Sequence, residues 1–296
     1  MLLTMKNLIS RAALFSAIEA GHKFWSQEIV EFGPLDVHEK LINGGYGPNK
    51  HEKLISALQL TSGEKVLETI SARGVQFLTP GDLDWPEQLN DLVNPPIALV
   101  VKGNPQTLKT ASLAIVGTRN PTNYGARIAG DFAAGFVDRE WAIVSGGAYG
   151  IDSYAHKGAL IAEGVTIAII ACGVDVNYPA GNARLFSEIC ESGAIVSEFM
   201  PGQKALPNRF LTRNRLIAGL SKATLVVEAA FRSGSLRTAR EAAEIFRPVM
   251  AIPGAINSPT SEGCHRLIGE RSAEIVTSVA DAVEFVGINS GQSVRE

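Results

Sequence analysis

From Ala111 onward the chain alternates short runs rich in β-branched residues with helix-length amphipathic stretches, and the runs are apolar on both faces. They are Leu113 to Val116, Ala142 to Ser145, Val165 to Ala171, Ala194 to Ser197, Thr224 to Glu228, Val249 to Ile252 and Glu274 to Val276. A strand wetted on one side alternates apolar and polar residues, whereas a strand covered on both sides does not, and parallel neighbours need a crossover of helix length. The pattern therefore predicts an α/β fold over residues 111–287: a doubly wound, mostly parallel sheet with helices on both faces. Ahead of it, Leu8, Ala12 and Phe15, then Leu54 and Leu58, fall at helical spacings broken by Gly33-Pro34 and Gly44-Gly45, which predicts a small helical domain over 1–75. Residues 76–110 are rich in Pro and turn residues, with one apolar run from Ile97 to Val101, and read as a joining segment. The polar stretch 288–296 is expected to be a disordered tail.

Composition narrows the class. With 46% hydrophobic and 19% charged residues in 296, the chain can bury a sizeable core, and disordered or low-complexity classes are excluded. No apolar stretch approaches the roughly 18 residues that span a bilayer. Arg11 and Glu19 confine the first apolar stretch to less than a signal-peptide core, so membrane insertion is not expected and a cytoplasmic location is. Cys172, Cys190 and Cys264 are odd in number and contain no C-x-x-C, which indicates neither a disulfide framework nor a zinc site; no metal or cofactor is expected. The net charge of −3 provides no global field for a polyanion, so an anion site has to be local.

Such a site is expected beyond the carboxyl ends of the strands, where open parallel sheets bind ligands. Gly117-Thr118-Arg119 follows the first run, Ser145-Gly146-Gly147 the second, and Ser233-Gly234-Ser235 the fifth. A small-residue turn before a helix leaves backbone N–H groups at a positive helix end, which suits phosphate. A cation at Arg119, where a dinucleotide fold wants its second glycine, argues against an NAD site, and no G-x-x-x-x-G-K-[ST] sequence is present. Residues 204–247 carry nine Lys or Arg, among them Arg209, Arg213, Arg215 and Arg237, against three Glu. Arg213-Asn214-Arg215 leads directly into apolar Leu216 to Leu220, so these groups are expected at the border of the core, where guanidinium can fork onto phosphate oxygens. Asp152 is read as a helix cap and His156 as a core hydrogen-bonding group; no catalytic triad, carboxylate pair or H-E-x-x-H motif stands out.

At these residues the sequence resembles the DprA (Smf) family, the bacterial DNA-processing proteins of natural transformation. The resemblance runs from Trp85-Pro86 and Ile115 to Arg119, through Ser145 to Asp152 with His156, Tyr178-Pro179 with Asn182, and Arg213 to Ser221. It continues through Val227-Glu228-Ala229, Ser233 to Leu236 and Ile252-Pro253-Gly254 to Gly263-Cys264-His265. It implies an extended Rossmann-like domain that binds single-stranded DNA without sequence preference, forms homodimers, and helps load RecA on strands covered by single-strand-binding protein. Carried over by position, Gly117, Arg119 and the Ser145-Gly146-Gly147 turn would hold phosphates and Arg213, Asn214 and Arg215 would build a basic pocket. Arg184, Arg209, Ser233, Gly234, Ser235 and Arg237 would lie beside them. The competing reading is an enzyme on the same fold, because Thr238-x-x-Glu241 is similar to a segment of Rossmann-like nucleoside monophosphate phosphoribohydrolases; yet Leu236-Arg237 stands where those enzymes have Gly before Thr.

Overall fold

The computed structural model describes residues 2–47 and 50–290. Five helices come first: α1 (Leu2–Ala17), α2 (Lys23–Phe32), α3 (Pro34–Ile42), α4 (Glu52–Leu60) and α5 (Gly63–Ser71). The first four close around Leu14, Trp25, Ile29, Val37, Leu41 and Leu58, while Val66 and Ile70 of α5 join Ala12 and Phe15 of α1 in a separate cluster with Val100 and Ile189. Then follow β1 (Gln76–Leu78), β2 (Leu99–Gly103), β3 (Ser112–Val116), α6 (Asn123–Val137), β4 (Ala142–Ser145), α7 (Ile151–Ile161), β5 (Thr166–Ile169), α8 (Ala183–Ser192) and β6 (Ala194–Ser197). The remainder is α9 (Pro207–Leu220), β7 (Ala223–Val226), α10 (Ser235–Glu244), β8 (Val249–Ala251), α11 (Glu262–Gly269), β9 (Glu274–Ile275) and α12 (Val279–Ser290).

The strands form one sheet in the order β1-β2-β6-β5-β4-β3-β7-β8-β9, parallel from β6 to β9. Both faces are covered, as runs apolar on each side require. Leu113 and Ile115 of β3 point into one layer with Phe132 and Phe136 of α6, Ile151 and Ala155 of α7, and Val286 of α12. Their neighbours Ala114 and Val116 point into the other, against Leu216 and Leu220 of α9, Leu236 of α10 and Leu267 of α11.

Two expectations change. Residues 76–110 are not merely a joining segment: β1 pairs antiparallel with β2, β2 pairs antiparallel with β6, and Trp85, Leu89, Leu92 and Leu108 are buried in the main core. Short strands among Pro-rich turns give little periodic signal, which hid this extension of the sheet. At the other end α12 continues through Ser290, past the expected start of the tail at 288, and residues 291–296 lie outside the described residues.

The strand order fixes where a ligand can sit. From β3 the chain winds through β4 and β5 to β6 on one side, then returns to place β7 and β8 on the other. The loops after β3 and β7 therefore diverge and leave a crevice at the point of reversal.

Candidate functional site

A cleft of about 700 Å³ occupies that crevice. One wall is Gly117, Thr118 and Arg119 after β3 with Ala148 and Asp152 after β4; the other is Arg232, Ser233, Gly234 and Ser235 after β7. Phe210, Arg213 and Asn214 of α9 and Tyr178 from the loop after β5 complete it. Arg119 is exposed, and its guanidinium lies over the Phe210 ring at 5.2 Å. Tyr178 packs against the same ring, 5.5 Å between centroids. Arg232 is exposed on the facing wall. Neither Arg119 nor Arg232 makes an ion pair or a side-chain hydrogen bond among the described residues, so both positive charges face the cleft uncompensated.

The glycine-rich turns are braced from within the protein. Ser145 is buried and donates its hydroxyl to Ile115 O (2.6 Å). The amides of Gly146 and Ala148 donate to Asp152 Oδ2 (3.1 and 3.4 Å), so Asp152 closes the turn from within, while the N-cap position of α7 is Gly150. Glycine is required here by packing: a Cβ on Gly146 would lie 2.0 Å from Arg213 Nη1, and one on Gly147, at φ +64°, would meet the Phe186 ring. Gly117 is likewise close-packed, with Ile151 and Glu228 O under 3 Å from a Cβ there. At the second turn the Ser235 amide donates to Ser233 Oγ, those of Leu236 and Arg237 donate to Ser233 O and Gly234 O, and Asn214 Nδ2 donates to Gly234 O (3.2 Å). The amides of Gly146, Ala148, Ser233, Ser235, Leu236 and Arg237 are thus taken internally, whereas those of Gly147 and Gly234 have no acceptor among the described residues and remain available to an anion beside the side chains.

The basic run divides in the same way. Arg215 is 2% exposed and donates from Nη2 to both carboxylate oxygens of Glu198 (2.6 and 2.8 Å). Arg209 is clamped between Glu19, at 2.9 and 3.1 Å, and the buried Phe199 ring, 4.4 Å below its guanidinium, so it ties the helical region to α9. Arg184 is exposed, pairs with Glu188 and lines a separate depression with Lys157. Arg237 pairs with Glu241 one turn along α10 (3.1 Å), and neither lines the cleft. Arg213 does reach it, from the floor: it is 5% exposed, donates to Ile169 O, and burial lowers its pKa to about 10 with Asp152 opposing. Burial pushes Asp152 upward, with Arg213 and the two amides opposing. His156, fully buried as expected, bonds through Nδ1 to Thr166 Oγ1 (2.7 Å), and burial with the nearby Arg213 lowers its pKa to about 3. Thr166 gives its own proton to Ile143 O, so Nδ1 carries the hydrogen and Nε2 is a bare acceptor.

A family model described as DNA recombination-mediator protein A matches residues 76–287. The chain belongs to that family. The DNA processing protein DprA of Streptococcus pneumoniae is 43% identical over 199 residues, covering 67% of this chain and 70% of the relative. An X-ray structure of the S. pneumoniae protein superposes with a TM-score of 0.81 over 92% of this chain and 95% of that one, at 34% identity. The DNA processing protein A of Helicobacter pylori, solved for its single-stranded DNA binding mode, matches with a TM-score of 0.65, 31% identity and coverage of 71% and 95%.

The DprA match begins at β1, which agrees with the sheet extension formed by β1 and β2. Three residues that the sequence did not single out as site residues belong to the cleft or its support. Tyr178 reaches it from the loop after β5, and Arg232, which the sequence places both in the basic run and directly before Ser233-Gly234-Ser235, stands on the facing wall. Glu228 is buried, and its carboxylate accepts from the Thr122 amide (2.9 Å) and hydroxyl (2.6 Å), fixing the start of α6. Its sequence signals were a Glu at the end of an apolar run and its place in the Val227-Glu228-Ala229 segment of the resemblance, neither of which points to this bracing role. The hydrolase reading needs a carboxylate beside a bound sugar phosphate; Thr238 lines the cleft, but Glu241 does not, and it is held by Arg237.

Proposed function

We propose that this chain binds single-stranded DNA without sequence preference in the cleft between the β3 and β7 loops, and as a homodimer in the cytoplasm helps load RecA on incoming strands covered by single-strand-binding protein during natural transformation. The observation that carries the binding step is the pairing of uncompensated charge with an aromatic surface open to the cleft: Arg119 on half-buried Phe210, exposed Tyr178 beside it, and Arg232 across the cleft. Sequence-independent strand binding needs these two ingredients, cations for phosphates and rings for bases. Arg213 adds positive potential from the floor, while Asn214 and Ser233 to Ser235 shape the wall. The loading role, dimerisation and location are supported by membership of the DprA family; for location, no helix among the described residues is long and apolar enough to cross a membrane.

Fluorescence anisotropy with labelled single-stranded and duplex oligonucleotides tests the binding step. Single strands should bind more tightly, with a log-log salt slope between about −1.4 and −2 for two to three phosphate contacts. Equal affinity for duplex, or no binding at low salt, would overturn it.

A further inference from the structure

The loop after β7 carries a second cation–aromatic pair that the cleft does not include. Phe231 is 49% exposed, and the Arg266 guanidinium lies 4.7 Å from its ring centroid. The two residues come from different elements, and a glycine brings them together. Gly263, in the first turn of α11, donates its amide to Ala229 O (2.8 Å), and a Cβ there would lie 2.7 and 2.9 Å from the carbonyls of Ala229 and Ala230. The close approach seats α11 on the β7 loop, and three residues on, the same helix face delivers Arg266 to Phe231. Arg266 Nε is taken by Glu270 (2.6 Å), whereas its terminal nitrogens have no hydrogen-bond partner among the described residues. A large apolar ring kept in water, capped by a guanidinium with donors to spare, repeats the chemistry of Arg119 over Phe210.

Position links the two pairs. Phe231 directly precedes Arg232, a wall of the cleft, and the sheet order places the contributing loops in sequence along one edge: Tyr178 after β5, Arg119 after β3, Phe231 and Arg232 after β7, Arg266 after β8. From β5 to β8 is four strand spacings, roughly 19 Å. We propose that Phe231 and Arg266 form a second base-stacking station for single-stranded nucleic acid, continuing the path out of the cleft across the ends of β7 and β8. This rests on the binding reading above. A duplex keeps its bases stacked on one another, so the station acts on single strands, and stacking on a ring is indifferent to base identity.

Oligothymidylates of increasing length, from about 4 to about 16 nucleotides, span the range a single binding site occupies. In anisotropy titrations with the full chain, wild type should gain affinity beyond the length that fills the cleft. Phe231→Ala should lose that gain, about tenfold for one stacked base, while binding the shortest bound oligomer as wild type does. Phe231→Trp should keep the gain, and Arg266→Gln should reduce it with a shallower salt dependence for long oligomers only. Thermal melting of each variant within error of wild type keeps folding out of the comparison. If Phe231→Ala matches wild type at every length, or loses affinity equally for short and long oligomers, the station is wrong while the cleft reading stands. If wild type binds no single strand, the cleft reading itself fails and takes the station with it.

Discussion

Arg215→Ala separates a nucleic-acid contact from a structural one, because the residue is basic, adjacent to the cleft lining and yet enclosed. Its side chain and that of Glu198 are 3% and 5% exposed, and one guanidinium nitrogen serves both carboxylate oxygens. Truncation strands the Glu198 carboxylate in a buried site that Glu19 already makes less favourable for negative charge. Breaking a buried pair on one side costs about 3 to 5 kcal/mol, a large share of the roughly 5 to 15 kcal/mol that holds a domain folded. The pair is itself imperfect, since Arg215 Nε and Nη1 are buried without partners. Replacing both residues, as Arg215→Met with Glu198→Leu, should therefore recover most of the loss and could exceed wild-type stability. Burial raises the Glu198 pKa and Arg215 opposes the rise. Without Arg215 the folded state holds the Glu198 proton more tightly than the unfolded chain does, so the destabilisation should shrink as pH falls through the carboxylate range and grow as it rises. Urea unfolding at several pH values measures this, and an unchanged m-value licenses the comparison. The salt slope for single-stranded DNA should not move. A variant with wild-type urea midpoint but a slope shallower by about 0.7 would refute the assignment and return Arg215 to the phosphate contacts.

His156→Asn retains a donor toward Thr166 but cannot titrate; wild type should lose stability relative to it as pH falls from about 6.5 towards 3, since only the unfolded imidazole takes up a proton there, and a pH-independent difference would count against burial as the cause. Gly146→Ala drives a methyl group into the Arg213 guanidinium and should cost about 1 to 3 kcal/mol, read as a lower melting temperature; unchanged melting would show that Arg213 moves freely. Phe210→Ala should weaken single-strand binding by about 1 to 3 kcal/mol per base stacked on it with the salt slope preserved, and a changed slope would mean that the variant disturbs Arg119 rather than a base.

The sheet was legible because buried parallel strands cannot hide: Leu113 to Val116 and Ala142 to Ser145 are apolar on both faces for a physical reason, and each became a strand. β1 and β2 were obscured since an edge addition of three to five residues among prolines carries almost no period. At the site, the positions of Arg119 and Ser233 to Ser235 followed from the binding of ligands beyond the carboxyl ends of parallel strands, and both line the cleft. What sequence could not show was how closely neighbours pack against the small-residue turn after β4. Gly146 lies under Arg213, and Asp152, six residues on, takes its amide; neither relation has a local signature. The arginines failed to sort for the same reason, because the partners of Arg209 and Arg215 are Glu19, 190 positions away, and Glu198, on the loop after β6.

The most direct test is the salt dependence of single-strand binding by Arg119→Ala against wild type, with melting temperature measured on the same samples. Arg119 is exposed, lies over an aromatic ring at the crevice and makes no ion pair among the described residues, so its removal should leave folding untouched. Affinity should fall by about 1 to 3 kcal/mol at low salt, and the log-log slope should flatten by about 0.7, the loss of one phosphate contact. Identical affinity and slope in a folded Arg119→Ala variant would contradict the placement of the strand in this cleft.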